Sequence, residues 1–438
     1  MAEHADRARS TLRELFSLAV PALGVLTAEP LYLLVDTAVV GHLGAVPLAA
    51  FSVASIVLAQ IATQMTFLSS GTTARTARLH GGGRRADAVA VGVQATWLGL
   101  LVGLVLVIAG QLLAAPIARA LAGDEQVAAS AVEWLRIALL GAPMILIAMA
   151  GNGWMRGVQD MWRPLRFMLI GNGISAVLCP VLVYGLGWGL SGSAVANVVA
   201  QLVAAGLFVR ALLVEKVPLA PAPAAIRAQL GLARDLVLLG LAFQACWVSA
   251  TVVAAHTSAP VAGAHQVVFR LWMFLAYVLD ALAIAAQALV GAALGANDGE
   301  RARRLAWQVT GCGLVFGALL GAVFAALAGV LPYAFTTDAV VLAEIPGAWW
   351  FFVALQPIGG VVFALDGVLL GAGDAAYMRS ATLCAATLGF LPVVWASLKF
   401  DWGLVGIWSG LSAFLMIRLI AVLARLRSGR WAVLGTLR

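Results

Sequence analysis

The sequence predicts an all-α polytopic membrane protein, with twelve transmembrane helices in two six-helix lobes related by a pseudo-twofold axis along the membrane normal. Three observations lead to this fold class: the composition, twelve long apolar runs and an internal repeat. Of 438 residues, 63% are hydrophobic and 11% are charged, whereas soluble chains average about 45–50% apolar and about 25% charged. This composition excludes a soluble enzyme, a disordered protein and a nucleic-acid-binding domain.

The apolar runs each have the length that a helix needs to cross the hydrocarbon layer, roughly 20 residues. They are rich in Ala and Leu and lack the period-two alternation of membrane strands, so they predict helices. The runs lie near residues 15–40, 46–70, 88–113, 128–154, 165–186, 192–214, 235–257, 261–294, 305–330, 340–370, 378–398 and 404–424.

The distribution of basic residues predicts the orientation of the spans. All but four of the 27 Lys and Arg residues can be assigned to one side of the membrane. The residues assigned to that side include Arg78 and Arg418. Basic residues concentrate in cytoplasmic loops, and juxtamembrane anchoring also accounts for the net charge of +7 better than a nucleic-acid partner does. We therefore expect a multi-pass protein of the cell inner (plasma) membrane, embedded in the lipid bilayer, with both termini cytoplasmic.

An internal repeat divides the chain. Residues 141–160 match residues 355–374 at an offset of 214, and residues 188–192 match 402–406 at the same offset. The repeat predicts an N-terminal lobe at 1–214 and a C-terminal lobe at 235–438. A cytoplasmic linker with a short amphipathic helix is expected at 215–234. Because two duplicated lobes with a cavity between them suit alternating access, this organisation favours a transporter over a channel.

The first span carries the most informative polar residues. Glu29, Tyr32 and Asp36 are spaced i, i+3 and i+7 and so share one helix face. An ionisable residue inside a membrane marks a functional site by default, and a carboxyl group in a low-dielectric pocket can bind and release protons. We interpret the three as a proton-coupling centre, with structural packing as the alternative. The 214-residue offset replaces both acids with Phe243 and Ala250.

Other polar residues in the spans could line a substrate cavity or could join helices to one another. Motifs for nucleotide binding and catalysis are missing from the sequence, so we expect no enzyme activity and no cofactor, and transport would draw on an ion gradient. The cavity candidates are Gln60, Gln64, Asn152, Asn172, Ser175 and Asn197 in the first lobe and Asp280 and Asp366 in the second.

Five stretches of the sequence together carry a family resemblance. They are EPLYLLVDTAVVGHLG (29–44), MRGVQDMWRPL (155–165), GLGWGLSGSAVAN (185–197), AIAAQALVGAALGAND (283–298) and LDGVLLGAGD (365–374). These stretches resemble the MATE (multidrug and toxic compound extrusion) transporters, and in particular their DinF-like branch.

The resemblance implies antiport, in which an inward proton or sodium gradient drives the export of small amphipathic, often cationic compounds. It also implies that Asp36 is the central coupling acid, with Glu29 and Tyr32 beside it. Asn152 and Asn197 match polar cavity positions of the family, and Asp366 resembles an acid that other branches use in a cation site.

The fifth span departs from the family pattern N-x-x-N-x-x-x-D, because Asn172 is followed by Ser175 and Cys179. Sodium prefers several hard oxygen ligands, for which a thiol is a poor substitute. This departure favours protons as the coupling ion and makes Cys179 a cavity candidate. Sodium-coupled antiport, a flippase for a lipid-linked precursor, and a channel or membrane scaffold remain alternatives, and we expect a monomer.

Overall fold

A computed structural model describes the backbone of residues 2–435 and the side chains of residues 13–435, so the basic side chains of Arg7, Arg9 and Arg438 lie outside the described part. Within it, all regular secondary structure is helical. The helices are α1 (Ala2–Gly41), α2 (Ala45–Gln64), α3 (Phe67–Gly81), α4 (Arg85–Ala122), α5 (Glu125–Leu139), α6 (Ala142–Gly157), α7 (Trp162–Pro180), α8 (Gly189–Val214), α9 (Pro223–Thr257), α10 (Ala259–Gly295), α11 (Gly299–Ala326), α12 (Ala339–Glu344), α13 (Pro346–Gly371), α14 (Ala375–Cys384), α15 (Leu391–Lys399) and α16 (Gly403–Ser428).

The predicted membrane spans are confirmed. Among the described residues, eleven helical segments are long and apolar enough to cross a membrane. Helices α5 and α6 are bent by 48° at their junction and together make the twelfth span. Short π-helical turns, at Val181–Gly185 and Ala385–Phe390, join α7 to the following loop and α14 to α15.

The second span extends well beyond its predicted end at residue 70. Helix α3 continues it to Gly81 and buries polar side chains, including Thr73, Thr76 and Arg78. Hydropathy misses this part because its side chains are polar, although their hydroxyl groups form hydrogen bonds to backbone carbonyls of their own helix. Thr76 Oγ1, for example, donates to the carbonyl of Thr72 at 2.8 Å. Arg78, which the distribution of basic residues assigns to the cytoplasmic side, lies in this part of the helix with a side chain that is only 1% exposed.

The predicted linker helix does not end before the seventh span. Its residues form the first turns of α9, which runs without interruption for 35 residues. The preceding segment is fastened to α4 by Gln94, whose side chain donates to the carbonyl of Ala220 at 3.0 Å and accepts from the amide of Ala222 at 2.7 Å.

The chain packs as two compact units. Val20–Ala233 form one unit, and the described residues on either side of this range form the other. Within the first unit, Phe51, Trp134 and Leu135 belong to a buried cluster. Trp349 and Trp408 belong to the core of the second.

Close helix contacts repeat at the offset found in the sequence. A Cβ atom at Gly153 would lie 2.6 Å from the carbonyl oxygen of Ser69, and one at Gly367 would lie 2.1 Å from that of Ala283. Each residue of the first contact lies 214 positions before its counterpart in the second contact. Helix α6 therefore packs on α3 in the first half in the same way as α13 packs on α10 in the second half. The correspondence also holds for Gly99 on Leu146 with Gly313 on Gly360, and for Gly103 on Pro143 with Gly317 on Pro357.

Turns between the spans follow the same offset. Gln159 and Gly373 both have a left-handed backbone, with φ of 64° and 74°. Three further pairs with positive φ are also separated by 214 residues: Gly83 and Asn297, Gly187 and Asp401, and Gly189 and Gly403. The duplication read from the sequence is therefore also present in the backbone.

Candidate functional site

Three helices of the Val20–Ala233 unit each contribute two buried polar side chains, spaced four residues apart, to one cluster. The spacing places each pair on a single helix face. All six side chains are at most 7% exposed. The pairs are Tyr32 and Asp36 on α1, Ser175 and Cys179 on α7, and Ser193 and Asn197 on α8. We call these six residues the Asp36 cluster.

Hydrogen bonds join the cluster across the helices. Asp36 Oδ1 accepts from Cys179 Sγ at 3.0 Å and from Ser193 Oγ at 2.9 Å. Ser175 Oγ donates to Tyr32 Oη at 2.7 Å. Helix α7 therefore runs parallel to α1 at this level while α8 runs antiparallel, which brings Asn197 to the height of Tyr32.

Asp36 lacks the charge compensation that a buried carboxylate needs. Its side chain is 0% exposed, and its Oδ2 atom has no hydrogen-bond partner among the described residues. No basic side chain in the described part of the chain forms an ion pair with it. Because an unpaired carboxylate is costly to bury, this environment suits a carboxyl group that binds a proton.

Asp366 has the opposite environment. Arg418 donates to both of its carboxylate oxygens, at 2.7 and 2.8 Å, and lies over the rings of Phe243 and Phe414 at 5.0 and 5.8 Å. Arg418, one of the basic residues that the sequence assigns to the cytoplasmic side, has its side chain buried against this acid. No local pattern indicates this pair, because its members lie 52 residues apart in the chain.

The remaining candidates lie outside the Asp36 cluster. Glu29 is exposed, unlike Tyr32 and Asp36, so the shared helix face does not place all three side chains in one environment. Asp280 is half-buried on α10, in the other unit. Four amide side chains are also half-buried, and no described hydrogen bond connects them to the cluster: Gln60, Gln64, Asn152 and Asn172.

Sequence reasoning missed two members of this neighbourhood. Ser193 donates to Asp36, and Trp134 Nε1 on α5 donates to Ser193 Oγ at 3.3 Å. The spacing of Ser193 and Asn197 by one helical turn was the signal that could have identified the serine. Trp134 carried no such signal, because its role depends on the packing of α5 against α8.

The second half of the chain lacks the cluster. At the 214-residue offset, Asp36 corresponds to Ala250 and Ser193 to Ile407, both almost fully buried. The other four positions are also unable to reproduce it: Cys246, Gly389, Val393 and Leu411. Since the helix contacts are otherwise repeated, the polar cluster is a property of the first half and not of the fold.

A family model described as MatE matches the chain twice, over residues 21–181 and 238–395. The chain belongs to the MatE family. The two matches to MatE also coincide with the two repeats of the sequence. The family resemblance drawn from the motifs is thereby confirmed.

Relatives of this MatE protein cover nearly its whole length. Protein DETOXIFICATION 44, chloroplastic, of Arabidopsis thaliana is 31% identical, over 96% of this chain and 84% of that protein. DNA damage-inducible protein F of Escherichia coli is 30% identical, over 96% and 94%. A crystal structure described as MATE in the bent conformation is 20% identical, with a TM-score of 0.88 over 97% of this chain and 95% of the other. This structural similarity confirms the all-helical fold of a multi-pass membrane protein.

Proposed function

We propose that this MatE protein is a secondary active exporter that exchanges small amphipathic or cationic compounds for protons, with Asp36 as the coupling acid. The observation that carries the proposal is the burial of Asp36, without an ion-pair partner, in a polar cluster that only one half of the duplicated chain possesses. Membership of a family named for multidrug and toxic compound extrusion supports export. We place the protein in the plasma membrane as a monomer with both termini cytoplasmic.

The bonds of Asp36 provide a link between proton binding and helix packing. As a carboxylate, its Oδ1 holds α7 through Cys179 and α8 through Ser193. Hydrogen bonds to a charged acceptor are roughly twice as strong as neutral ones, so protonation weakens the attachment of α1 to both helices. Helix α1, which contains Pro30, can then repack.

The exchange cycle follows from this change. A proton from outside neutralises Asp36, and the attraction of the first half for a cationic substrate falls, so the substrate leaves outward. The proton then leaves to the cytoplasm when the accessible side changes. A ligand shifts such an equilibrium only through its different affinities for the two states, and one charge moving inward through 100 mV supplies about 2.3 kcal/mol.

The donor set around Asp36 supports protons over sodium. Cys179 presents a thiol directly to the carboxylate, and hard cations such as sodium prefer oxygen ligands. Replacement of this thiol by a hard oxygen ligand would be needed for a conventional sodium site. Proton coupling requires only a carboxyl group that can change its charge.

The test is the transport of a lipophilic cation such as ethidium by purified protein in proteoliposomes. A proton gradient and a sodium gradient are imposed across the membrane in separate experiments. We expect efflux with the proton gradient alone and none from the Asp36→Asn variant. Asp87→Asn is the matched control, because Asp87 is half-exposed and paired with Arg84 at 2.7 Å. Efflux that needs sodium, or that persists in Asp36→Asn, would contradict the proposal.

A further inference from the structure

A second acid lies near the Asp36 cluster. Glu133 of α5 is exposed, and it accepts a hydrogen bond from the hydroxyl group of Ser191 on α8. Its neighbour Trp134 donates to Ser193, which donates to Asp36. Two adjacent residues of α5 thus contact two serines of α8, one pair at the surface and one buried.

These contacts lie near the start of α8, near the end of α1 and in the first half of the span that α5 and α6 form together. Ser191 is the third residue of α8, Asp36 is five residues before the end of α1, and α5 begins eight residues before Glu133. At about 1.5 Å per residue, Asp36 lies roughly 8 Å from the end of its helix. With both termini cytoplasmic, this end faces the outside.

Comparison with the second half of the chain separates fold from chemistry. At the 214-residue offset, Glu133 corresponds to Gly347 and Ser191 to Val405. A Cβ atom at Gly347 would lie 3.5 Å from Cγ2 of Val405, so the contact itself is repeated. The second half makes it without any polar group, which shows that packing does not require the Glu133–Ser191 pair.

We propose that Glu133 and Ser191 form the external entrance through which protons reach Asp36. Glu133 takes a proton from external water, and the Ser191 hydroxyl, whose proton points to the Glu133 carboxylate, turns inward, accepts the proton of the Glu133 carboxyl group and releases its own proton inward. Water carries the proton to Ser193, whose hydroxyl gives its proton to the Asp36 carboxylate and takes the incoming one. Glu133 and both hydroxyl groups end with as many protons as they began with, and the net result is one proton moved from external water to Asp36.

Trp134 is a positioning residue in this route. Its Nε1–H occupies one lone pair of Ser193 Oγ, which leaves the hydroxyl proton directed at Asp36 Oδ1. The only charged side chain within one turn of Glu133 on its own helix is Arg136, which donates to the carbonyl of Gln111 at 3.4 Å. Among the described residues, no ion pair engages Glu133.

The route rests on the proposed function, and its test uses the full chain in bacterial cells loaded with ethidium and depleted of energy. The external pH is lowered, and the initial efflux rate is measured at matched expression. We expect Glu133→Gln and Ser191→Ala to slow efflux by about 10- to 100-fold, at or below the usual contribution of a positioned proton-transfer group. Glu133→Asp should recover part of the rate. The control Glu125→Gln changes an exposed acid of the same helix and should match the parent.

A second readout separates proton entry from structural damage. In Glu133→Gln the rate should rise with the concentration of a membrane-impermeant buffer, whereas the parent rate should not, and ethidium affinity should be unchanged. Parental rates in Glu133→Gln, or a slow rate that ignores buffer, would overturn the route. If Asp36→Asn also shows ethidium efflux after the external pH is lowered, the proposed function itself fails. If Asp36→Asn shows no efflux and Glu133→Gln shows the parental efflux rate, only the route fails.

Discussion

The buried pair of Asp366 and Arg418 offers a quantitative test of how this structure is stabilised. Arg418 is 2% exposed and contacts both carboxylate oxygens at 2.7–2.8 Å. Removing one partner of a buried pair leaves an uncompensated charge and costs about 3–5 kcal/mol. We therefore expect Asp366→Asn and Arg418→Met each to lower the stability of this half by that amount.

The assay is thermal unfolding of the purified protein in detergent. For a unit of roughly 200 residues, about 2–4 °C per kcal/mol is the usual scale, so each single variant should melt roughly 6–20 °C below the parent. The double variant Asp366→Leu with Arg418→Met should recover to within about 1 kcal/mol, because well-packed apolar residues can replace a buried pair at little cost.

The matched control is the pair of Arg84 and Asp87, which has the same 2.7 Å separation but side chains more than half exposed. Asp87→Asn should change stability by only about 0–1 kcal/mol. If Asp366→Asn were as mild as Asp87→Asn, the reasoning from burial would be refuted. A double variant as unstable as the singles would show that the two residues do not act mainly through each other.

Two further predictions concern packing. Gly153→Ala should destabilise the protein by about 1–3 kcal/mol in the same melting assay, because its Cβ would lie 2.6 Å from the Ser69 carbonyl oxygen. The control is Gly173→Ala on α7, which should not destabilise the protein because a Cβ there would have no atom within 4 Å. Equal effects of the two substitutions would contradict this reasoning. Gln94→Ala should expose residues 216–222 to limited proteolysis, because it removes both hydrogen bonds to the linker backbone. The control is Gln111→Ala, which loses a hydrogen bond to the Arg136 carbonyl instead. An unchanged rate of linker cleavage in Gln94→Ala would contradict the role of Gln94 in holding the linker.

Much of the fold could be predicted because membrane spans and repeats leave local signals. Long apolar runs determined the number of spans, and one constant offset identified the duplication. The extension of the second span through α3 could not be predicted from hydropathy, since Thr73 and Thr76 satisfy their hydroxyl groups inside the helix bundle. The continuity of α9 was also missed, because an amphipathic segment and an apolar one can share a single helix.

The site was predictable only in part. Tyr32 and Asp36 stood out because polar residues are rare in a membrane span, and their burial agrees with that interpretation. Glu29 has the same helical spacing but is exposed. Periodicity predicts the direction in which a side chain leaves the helix, but it does not predict how far the neighbouring helices cover that face along its length. The contacts of Ser193, Trp134 and Arg418 join residues more than 50 positions apart, so they depend on tertiary packing that no local pattern encodes.

The central claim is that Asp36 exchanges its proton for substrate, and linkage provides its most direct measurement. If substrate and proton binding oppose one another, each must lower the affinity for the other by the same factor. Ethidium added to the purified protein in weakly buffered detergent solution should release up to about one proton per substrate bound, and Asp36→Asn should bind ethidium without releasing any. Proton release from Asp36→Asn equal to that of the parent would contradict the account.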